Sequence, residues 1–328
     1  MDRCTNLAAL RVLTALVAAF GGAGAAVPAT AAAAAATPSA EQRAAAARAT
    51  AESDDLCKAV QPFHWSIGDA HGVLADGGAG ARPPSATTPM PIASASKLVY
   101  AAFVAQRRQC RLTDDDVRAL TLTSGYTHFR SCRRGQTVAE CDAMGRNGEH
   151  EAAADGKFAY GGGHMQRHAV LDGLGALDAA GLARTINETL GTSLRYLQPQ
   201  LAGGIVASAA DYGELLRGIV AGRLQMKSLL GTHAVCTNPA TCAQATASPF
   251  TAADVHYSIG HWVEDDPQGD GAFSSAGAFG FYPWISHDAT TWGVLARFAP
   301  GLEGARTGAA SMLCGRQIRA AWASGQAR

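Results

Sequence analysis

The hydrophobic and polar positions between residues 37 and 90 predict a helix followed by a β-hairpin. Residues 37–60 are rich in alanine and carry widely spaced charged side chains, a composition that favours a helix. Two short apolar stretches, 63–67 and 72–75, flank a polar turn, which is typical of two strands joined by a hairpin. Residues 76–90 are rich in Gly and Pro and predict a loop.

The pattern is helical between residues 94 and 249 and resembles strands again after Pro249. Helices are predicted at 171–190 and from a Ser208 cap to Gly222. The last elements are predicted as follows: strands at 257–263, 278–282 and 291–296, and a helix from Gly308 to about Trp322. This order is satisfied by an α+β fold, in which an antiparallel sheet is flanked by the terminal helices and an all-helical lobe lies beside it. The predicted division is an α/β part at about 37–93 and 250–328, and a helical lobe at about 94–249.

The first 36 residues have the pattern of a secretory signal peptide. Arg3 and Arg11 precede an apolar core at 12–20, and small residues fill 21–36. We expect cleavage near residues 31–37, and then a single periplasmic or secreted domain at 37–328. No later stretch approaches the 18 or more apolar residues of a membrane span.

Export makes the cysteines candidates for disulfide bonds. Loss of Cys4 with the signal peptide would leave seven cysteines. Two close pairs lie in turn-rich segments and are each predicted to close a small loop: Cys132 with Cys141, and Cys236 with Cys242. The remaining choice is open, because Cys57 can pair with Cys110 or with Cys314. The odd number predicts that one of these last two thiols is free or forms an intermolecular bond.

Composition excludes several classes of partner. The 27 basic and 27 acidic residues give a net charge of 0, and no basic stripe is present. Nucleic acid and anionic membranes are therefore not expected as partners. The histidines show no mutual spacing typical of metal ligands, so we expect no metal and no cofactor.

The segment Ser94-Ala95-Ser96-Lys97 opens an apolar helix and is the first candidate for chemistry. In the first turn of a helix, Ser94 Oγ and Lys97 Nζ lie on the same face. A serine hydroxyl needs a neighbouring base to become a nucleophile, and a desolvated lysine can be that base. The free N–H groups of a helix start suit the oxyanion that forms at an attacked carbonyl.

Further segments follow the Ser94 motif in a characteristic order. They are Leu-Thr-Leu-Thr-Ser-Gly-Tyr at 120–126, Phe-Ala-Tyr-Gly-Gly at 158–162, Gly-Gly-Ile-Val-Ala-Ser-Ala-Ala-Asp at 203–211, and Ser-Ala-Gly at 275–277. With the Ser94 motif they resemble the penicillin-recognising serine hydrolases, which include class C β-lactamases, D-Ala-D-Ala peptidases and family VIII esterases. The resemblance covers about residues 40–322 and implies a fold like that of β-lactamases and transpeptidases.

The resemblance implies a role for each matching residue. Ser94 would attack a carbonyl and form an acyl-enzyme, and Lys97 would activate or orient it. Tyr160 would share protons with Lys97 and is the favoured general base or acid in this branch of the superfamily. The backbone N–H groups of Ser94 and Ala278 would form the oxyanion hole.

The chain departs from the family pattern where substrate is expected to bind. Gly162 replaces an asparagine whose amide contacts substrate, and His164, two residues later, is a candidate substitute. In the third motif, which ends at Gly277, Ser275 replaces the Lys or His that would hold a substrate carboxylate. Both losses argue against a penicillinase, or a peptidase that holds a C-terminal carboxylate, and leave the acyl-transfer residues in place.

We therefore expect an exported serine hydrolase that acts on a small or oligomeric ester or amide. Two alternatives follow from the same motifs. One is a D-Ala-D-Ala carboxypeptidase or a β-lactamase similar to class C. The other is a non-catalytic module that binds cell-wall peptides or penicillin.

Overall fold

The computed structural model describes residues 37–301 and 303–328, so the predicted signal peptide lies outside the described residues. The α-helices are α1 (Ala40–Ser53), α2 (Asp55–Lys58), α3 (Ser96–Arg108), α4 (Asp114–Leu120), α5 (Val138–Asp142), α6 (Gly163–Ala169), α7 (Ala179–Leu190), α8 (Ala209–Val220) and α9 (Gly304–Ser324). The β-strands are β1 (Phe63–Asp69), β2 (Val73–Ala79), β3 (Met90–Pro91), β4 (Phe158–Ala159), β5 (Arg195–Tyr196), β6 (Ile205–Ala207), β7 (Val235–Cys236), β8 (Ala245–Ala247), β9 (His256–Tyr257), β10 (Trp262–Val263), β11 (Phe273–Ser274), β12 (Tyr282–Ile285) and β13 (Thr291–Ala296). Short 3-10 turns lie at Ala93–Ala95, Ala152–Ala154 and Gln225–Leu229, and a π-helical turn lies at Val170–Leu174.

The main sheet is antiparallel and has the strand order β2-β1-β13-β12-β11-β10-β9-β7. Its β1–β2 hairpin lies where the sequence predicts one. β1 and β13 come from opposite ends of the chain, and their register places Trp65 opposite Leu295. The predicted α+β fold with an antiparallel sheet is confirmed.

Helices cover both faces of this sheet. Tyr282 of β12 lies opposite Leu295 of β13, so both side chains point to the same face. There the helix α9 approaches so closely that a Cβ on Gly315 would lie 2.2 Å from the Tyr282 ring. Trp292, three residues before Leu295, points to the other face, where Gly213 of α8 packs against its ring. Because α8 and α9 lie on opposite faces, the strands between them are buried on both sides.

The two ends of the described chain are joined to each other. Helix α1 packs along α9. The disulfide Cys57–Cys314 connects α2 to α9 across 257 residues of sequence. Arg316 of α9 donates hydrogen bonds to Glu264 at 2.9 Å and to Asp266 at 3.1 Å, and all three side chains are buried. Buried charges need such partners, so this cluster fixes α9 against the end of β10.

The two predicted short-range disulfides are present: Cys132–Cys141 and Cys236–Cys242. The open choice for Cys57 is settled in favour of Cys314. The predicted free thiol is wrong, because Cys314 is bonded to Cys57 and Cys110 is disulfide-bonded as well.

Helices α3 to α7 lie within residues 94–249, the range predicted as the helical lobe, and this range also contributes to the sheet layer. Its edge strand β7 and the helix α8 both come from this range. The stretch predicted as one strand at 257–263 is instead two strands, β9 and β10, separated by a turn. Gly260 in that turn has a φ of +72°, and a Cβ there would lie 2.8 Å from the Lys97 carbonyl oxygen. Within the described residues, none of the helices combines the length and apolar character that a membrane crossing requires.

Candidate active site

Ser94 lies in a short 3-10 turn that leads directly into α3. The preceding strand β3 pairs with β6, and the Ile92 amide donates to the Ile205 carbonyl at 3.1 Å. Ala93 then takes a φ of +46°, a left-handed conformation that costs a residue with a side chain about 1–2 kcal/mol. The Tyr212 hydroxyl donates to the Ala95 carbonyl at 2.7 Å and holds the turn from the α8 side. The turn is therefore fixed on both sides of Ser94.

Lys97 contacts Ser94 directly. Its Nζ lies 3.0 Å from Ser94 Oγ and 3.3 Å from the Ala202 carbonyl oxygen. The residue is only 3% exposed, and burial lowers its pKa from 10.5 to about 7. Desolvation disfavours the ammonium form, so a large fraction of Lys97 is neutral near pH 7 and able to accept a proton.

Tyr160, directly after β4, lies beside the lysine. Lys97 Nζ is 4.4 Å from the centroid of the Tyr160 ring. The ring stacks on Trp262 at a centroid distance of 5.1 Å. Burial raises the pKa of Tyr160 to about 12, and interactions with Ser94 and Trp262 oppose this rise only in part. At neutral pH Tyr160 is a neutral phenol, which suits a proton donor better than a base.

The backbone N–H groups of Ser94 and Ala278 are among those at the site that have no acceptor within the described part of the chain. Both residues line the same cavity. Ala278 follows Gly277, whose N–H donates to the Phe281 carbonyl and whose Cβ position lies 2.2 Å from the Ile92 carbonyl oxygen. Only glycine allows the turn after β11 to approach the Ser94 turn this closely. The arrangement provides two donors of the kind that stabilise an oxyanion.

Ser275 does not face the cavity. It is 2% exposed, and its Oγ donates to the Ser94 carbonyl oxygen at 3.3 Å. The side chain therefore supports the backbone of the nucleophile turn, and the position where the family pattern has a cation is neutral here.

His164 is predicted as a substitute for the missing amide, and the structure corrects this. It is fully buried in α6, outside the cavity that Ser94 lines. Its Nδ1 accepts the Ser124 amide hydrogen at 3.2 Å, which leaves Nε2 as the donor to the Ala159 carbonyl at 3.0 Å. Burial, with the nearby Lys97, lowers the pKa of His164 to about 4, so it is neutral. His164 positions the strand before Tyr160.

Gly162 does line the cavity, but an aromatic ring takes the space beside it. A Cβ on Gly162 would lie 2.8 Å from the Phe129 ring. An asparagine at this position would displace Phe129, so the chain has an apolar wall where the family pattern has an amide.

Two adjoining spaces meet at Ser94. The main cavity, of about 550 Å³, is lined by the three candidate catalytic residues and by a wider set that includes Phe129, Arg130, Ser131, Arg134, Leu197, Gln198, Gly203, Gly204, Ala278, Phe279 and Phe298. A small pocket of about 100 Å³ shares Ser94, Tyr160 and Ala278 with it and is otherwise lined by Pro249, Phe250, Ala276, Gly277, Gly304, Ala305 and Gly308. The main cavity has the size of a small-molecule site, and the small pocket is apolar.

Sequence reasoning did not single out Phe129, Arg130 or Arg134 as residues of the site. They lie in a loop without hydrophobic periodicity, and the only signal there was the predicted Cys132–Cys141 bond. Among the described residues, no group of three or more His, Cys, Asp or Glu side chains could hold a metal ion.

Comparison with known proteins identifies the fold. No protein-family model and no curated protein matches the chain. A β-lactamase candidate from Bacteroides dorei DSM 17855 is 20% identical over 80% of this chain and 94% of that one, with a TM-score of 0.57. A D-stereospecific amidohydrolase from Streptomyces sp. is 14% identical over 85% and 99%, with a TM-score of 0.56. EstCE1, a hydrolase with promiscuous acyltransferase activity, is 14% identical over 84% and 98%, also with a TM-score of 0.56.

These similarities establish the class of fold. The chain has the fold of the penicillin-recognising serine hydrolases, as the order of its motifs implies. Within that fold, Ser94, Lys97 and Tyr160 come together at one cavity.

Proposed function

We propose that the protein is an exported serine hydrolase that cleaves an ester or amide bond through an acyl-enzyme on Ser94. The observation that carries the proposal is the contact between Ser94 Oγ and a buried Lys97 whose pKa is lowered to about 7. A lysine in this state can remove the serine proton at neutral pH. Burial of an unpaired cation does not stabilise a fold, so a catalytic role explains the buried Lys97 better than a structural one.

The reaction would proceed in two halves. Neutral Lys97 takes the proton of Ser94 Oγ, which bonds to the substrate carbonyl carbon, and the amides of Ser94 and Ala278 bind the oxyanion. The bond to the leaving group then breaks, and the Tyr160 hydroxyl donates its proton to the leaving group. The proton that Lys97 took from Ser94 passes to the Tyr160 oxygen, which restores the phenol and the neutral lysine. A water molecule attacks the acyl-enzyme by the same steps, which frees the acid and Ser94.

Two features favour an esterase or amidase over a β-lactamase or a carboxypeptidase. The third motif has the neutral Ser275 where the family pattern has a cation, and the Phe129 ring occupies the space beside Gly162 where the family's amide would contact substrate. The disulfides favour an oxidising compartment, which supports export.

Labelling with a fluorophosphonate probe and turnover of 4-nitrophenyl butyrate test this proposal. Wild-type protein is expected to be labelled and active, and Ser94→Ala is expected to lose both properties. Ser131→Ala is the matched control, because Ser131 is an exposed serine lining the same cavity. Undiminished turnover by Ser94→Ala would refute the mechanism, and an unlabelled, inactive wild type would favour the non-catalytic binding module. Rapid hydrolysis of nitrocefin would favour the β-lactamase alternative.

A further inference from the structure

The charged side chains among the described residues that line the main cavity are all basic. Arg130 and Arg134 line it together with Ser94, and none of the described residues in the lining is Asp or Glu. Arg130 and Arg134 are exposed, and within the described part of the chain neither lies within ion-pair distance of a carboxylate. Many other arginines of the lobe have carboxylate partners: Arg107, Arg108, Arg118, Arg146, Arg167 and Arg217. The two cavity arginines therefore give this space a positive potential, and among the described residues no carboxylate in the lining opposes it.

The loop that carries these arginines has a fixed backbone. The Cys132–Cys141 disulfide closes it at one side. The Arg130 amide donates to Asn147 Oδ1 at 2.9 Å, and Asn147 Nδ2 donates to the carbonyls of Ser131 and Cys141 at 3.0 and 2.8 Å. A fixed backbone reduces the entropy lost when the arginine side chains bind a ligand.

We propose that Arg130 and Arg134 bind a carboxylate on the part of the substrate that fills the main cavity, away from the scissile carbonyl. The group on the other side of that carbonyl is short and apolar, because the small pocket holds only about 100 Å³ and none of the described residues that line it is charged. Arginine suits the task because its planar guanidinium can donate two parallel hydrogen bonds to a carboxylate. This inference rests on the proposed hydrolase function and names its substrate class.

Matched ester pairs test the inference. In one pair the anion is on the leaving group: 4-butyryloxybenzoate against its methyl ester. In the other pair it is on the acyl group: the 4-nitrophenyl monoester of adipic acid against 4-nitrophenyl hexanoate. The kcat/KM ratio of anionic to neutral ester is measured for wild type, for Arg130→Gln/Arg134→Gln and for Arg133→Gln. Comparing this ratio between variants cancels the intrinsic reactivity of each ester.

Arg133→Gln is the control, because Arg133 is an exposed arginine of the same loop that does not line the cavity. In at least one pair, the ratio is expected to fall about 5- to 20-fold in the double variant and to stay near the wild-type value in Arg133→Gln. The wild-type ratio should also fall as salt rises from 0.05 to 0.5 M, because the arginines are exposed. Turnover of the neutral esters and fluorophosphonate labelling should not change in Arg133→Gln, and the double variant should keep the wild-type midpoint of urea unfolding, which would show an intact fold.

Failure of this inference differs from failure of the proposed function. Unchanged ratios in the double variant, with normal turnover of neutral esters, would overturn the role of the arginines and leave the hydrolase assignment standing. An equal loss in Arg133→Gln would show a general effect of surface charge and would also overturn it. A wild type that is neither labelled nor active on any ester would overturn both.

Discussion

Replacing Lys97 by methionine should make the protein more stable and almost inactive. Methionine has nearly the length of lysine but carries no charge, so it fills the same buried space without the cost of desolvating an ammonium group. Activity should fall by about 10²–10⁴-fold, the usual loss when an acid–base group is removed. If Lys97 served only to stabilise the fold, its replacement by methionine would lower the free energy of unfolding.

The size of the expected gain in stability follows from the lowered pKa of Lys97. Its pKa falls from 10.5 in the unfolded chain to about 7 in the folded protein, and each pKa unit corresponds to about 1.4 kcal/mol. The charged form therefore costs the folded state about 5 kcal/mol. Loss of the hydrogen bonds to Ser94 and the Ala202 carbonyl offsets about 1–2 kcal/mol of the gain. The expected net gain in the free energy of unfolding is about 3 kcal/mol at pH 6.

The sign of the pH dependence makes the prediction specific. Between about pH 7 and 10.5 the unfolded chain holds a proton on Lys97 that the folded protein has released. Wild-type stability therefore rises with pH across this window, relative to the variant, and the cost is fully present below about pH 7. The advantage of Lys97→Met should be largest at pH 6 and smaller at pH 9.

Urea unfolding followed by tryptophan fluorescence at pH 6, 7.5 and 9 measures this difference. Lys58→Met is the control, because the Lys58 side chain is 55% exposed and its loss should leave stability nearly unchanged at every pH. A Lys97→Met variant that is less stable than wild type at pH 6, or whose advantage is the same at all three values, would show that Lys97 has an ordinary pKa and is not the base.

Three further changes test other parts of the site and fold. Tyr160→Phe should lower kcat/KM by about 100-fold yet keep the rise in activity near pH 7, because that rise belongs to Lys97; a pH–rate profile that loses the rise would make Tyr160 the base. If the acyl group enters the small pocket, Ala305→Trp, at an exposed position in the pocket lining, should lower kcat/KM for hexanoyl esters about tenfold more than for acetyl esters, and equal losses would place the acyl group in the main cavity. Removal of the Cys57–Cys314 bond by a double serine variant should cost about 2–5 kcal/mol in urea unfolding; a loss no larger than that from removing the disulfide that spans six residues would refute the long-range restraint.

The candidate catalytic residues could be predicted because each lies in a short local motif. Ser94 and Lys97 are one helical turn apart, so their contact depends only on helix geometry. The position of Tyr160 followed from the order of motifs, and the structure places its ring beside Lys97. The hairpin and the helix capped by Ser208 were also predictable, since alternation and capping are local signals.

Features that depend on distant contacts were not predictable. His164 is buried, and its ring is hydrogen-bonded to the Ser124 amide and the Ala159 carbonyl; no sequence pattern indicates either contact. The turn at Gly260 interrupts a stretch with a strand-like pattern because the chain there must pass close to the backbone of Lys97. The cavity loop with Arg130 carries no periodic pattern, so its position at the site required the folded structure.

The proposed place of the anion and the proposed base depend on each other through electrostatics. A carboxylate held beside the scissile bond, where the family pattern has a cation, would lie close to Lys97 and would raise its pKa. At neutral pH that change would favour the ammonium form and remove the base. Ser275 provides no such binding group, while Arg130 and Arg134 offer one on an exposed loop, where solvent screens a bound anion. A substrate carboxylate that binds to Arg130 and Arg134, instead of beside the scissile bond, therefore leaves the pKa of Lys97 unchanged. Burial alone still sets that pKa when an anionic substrate is bound.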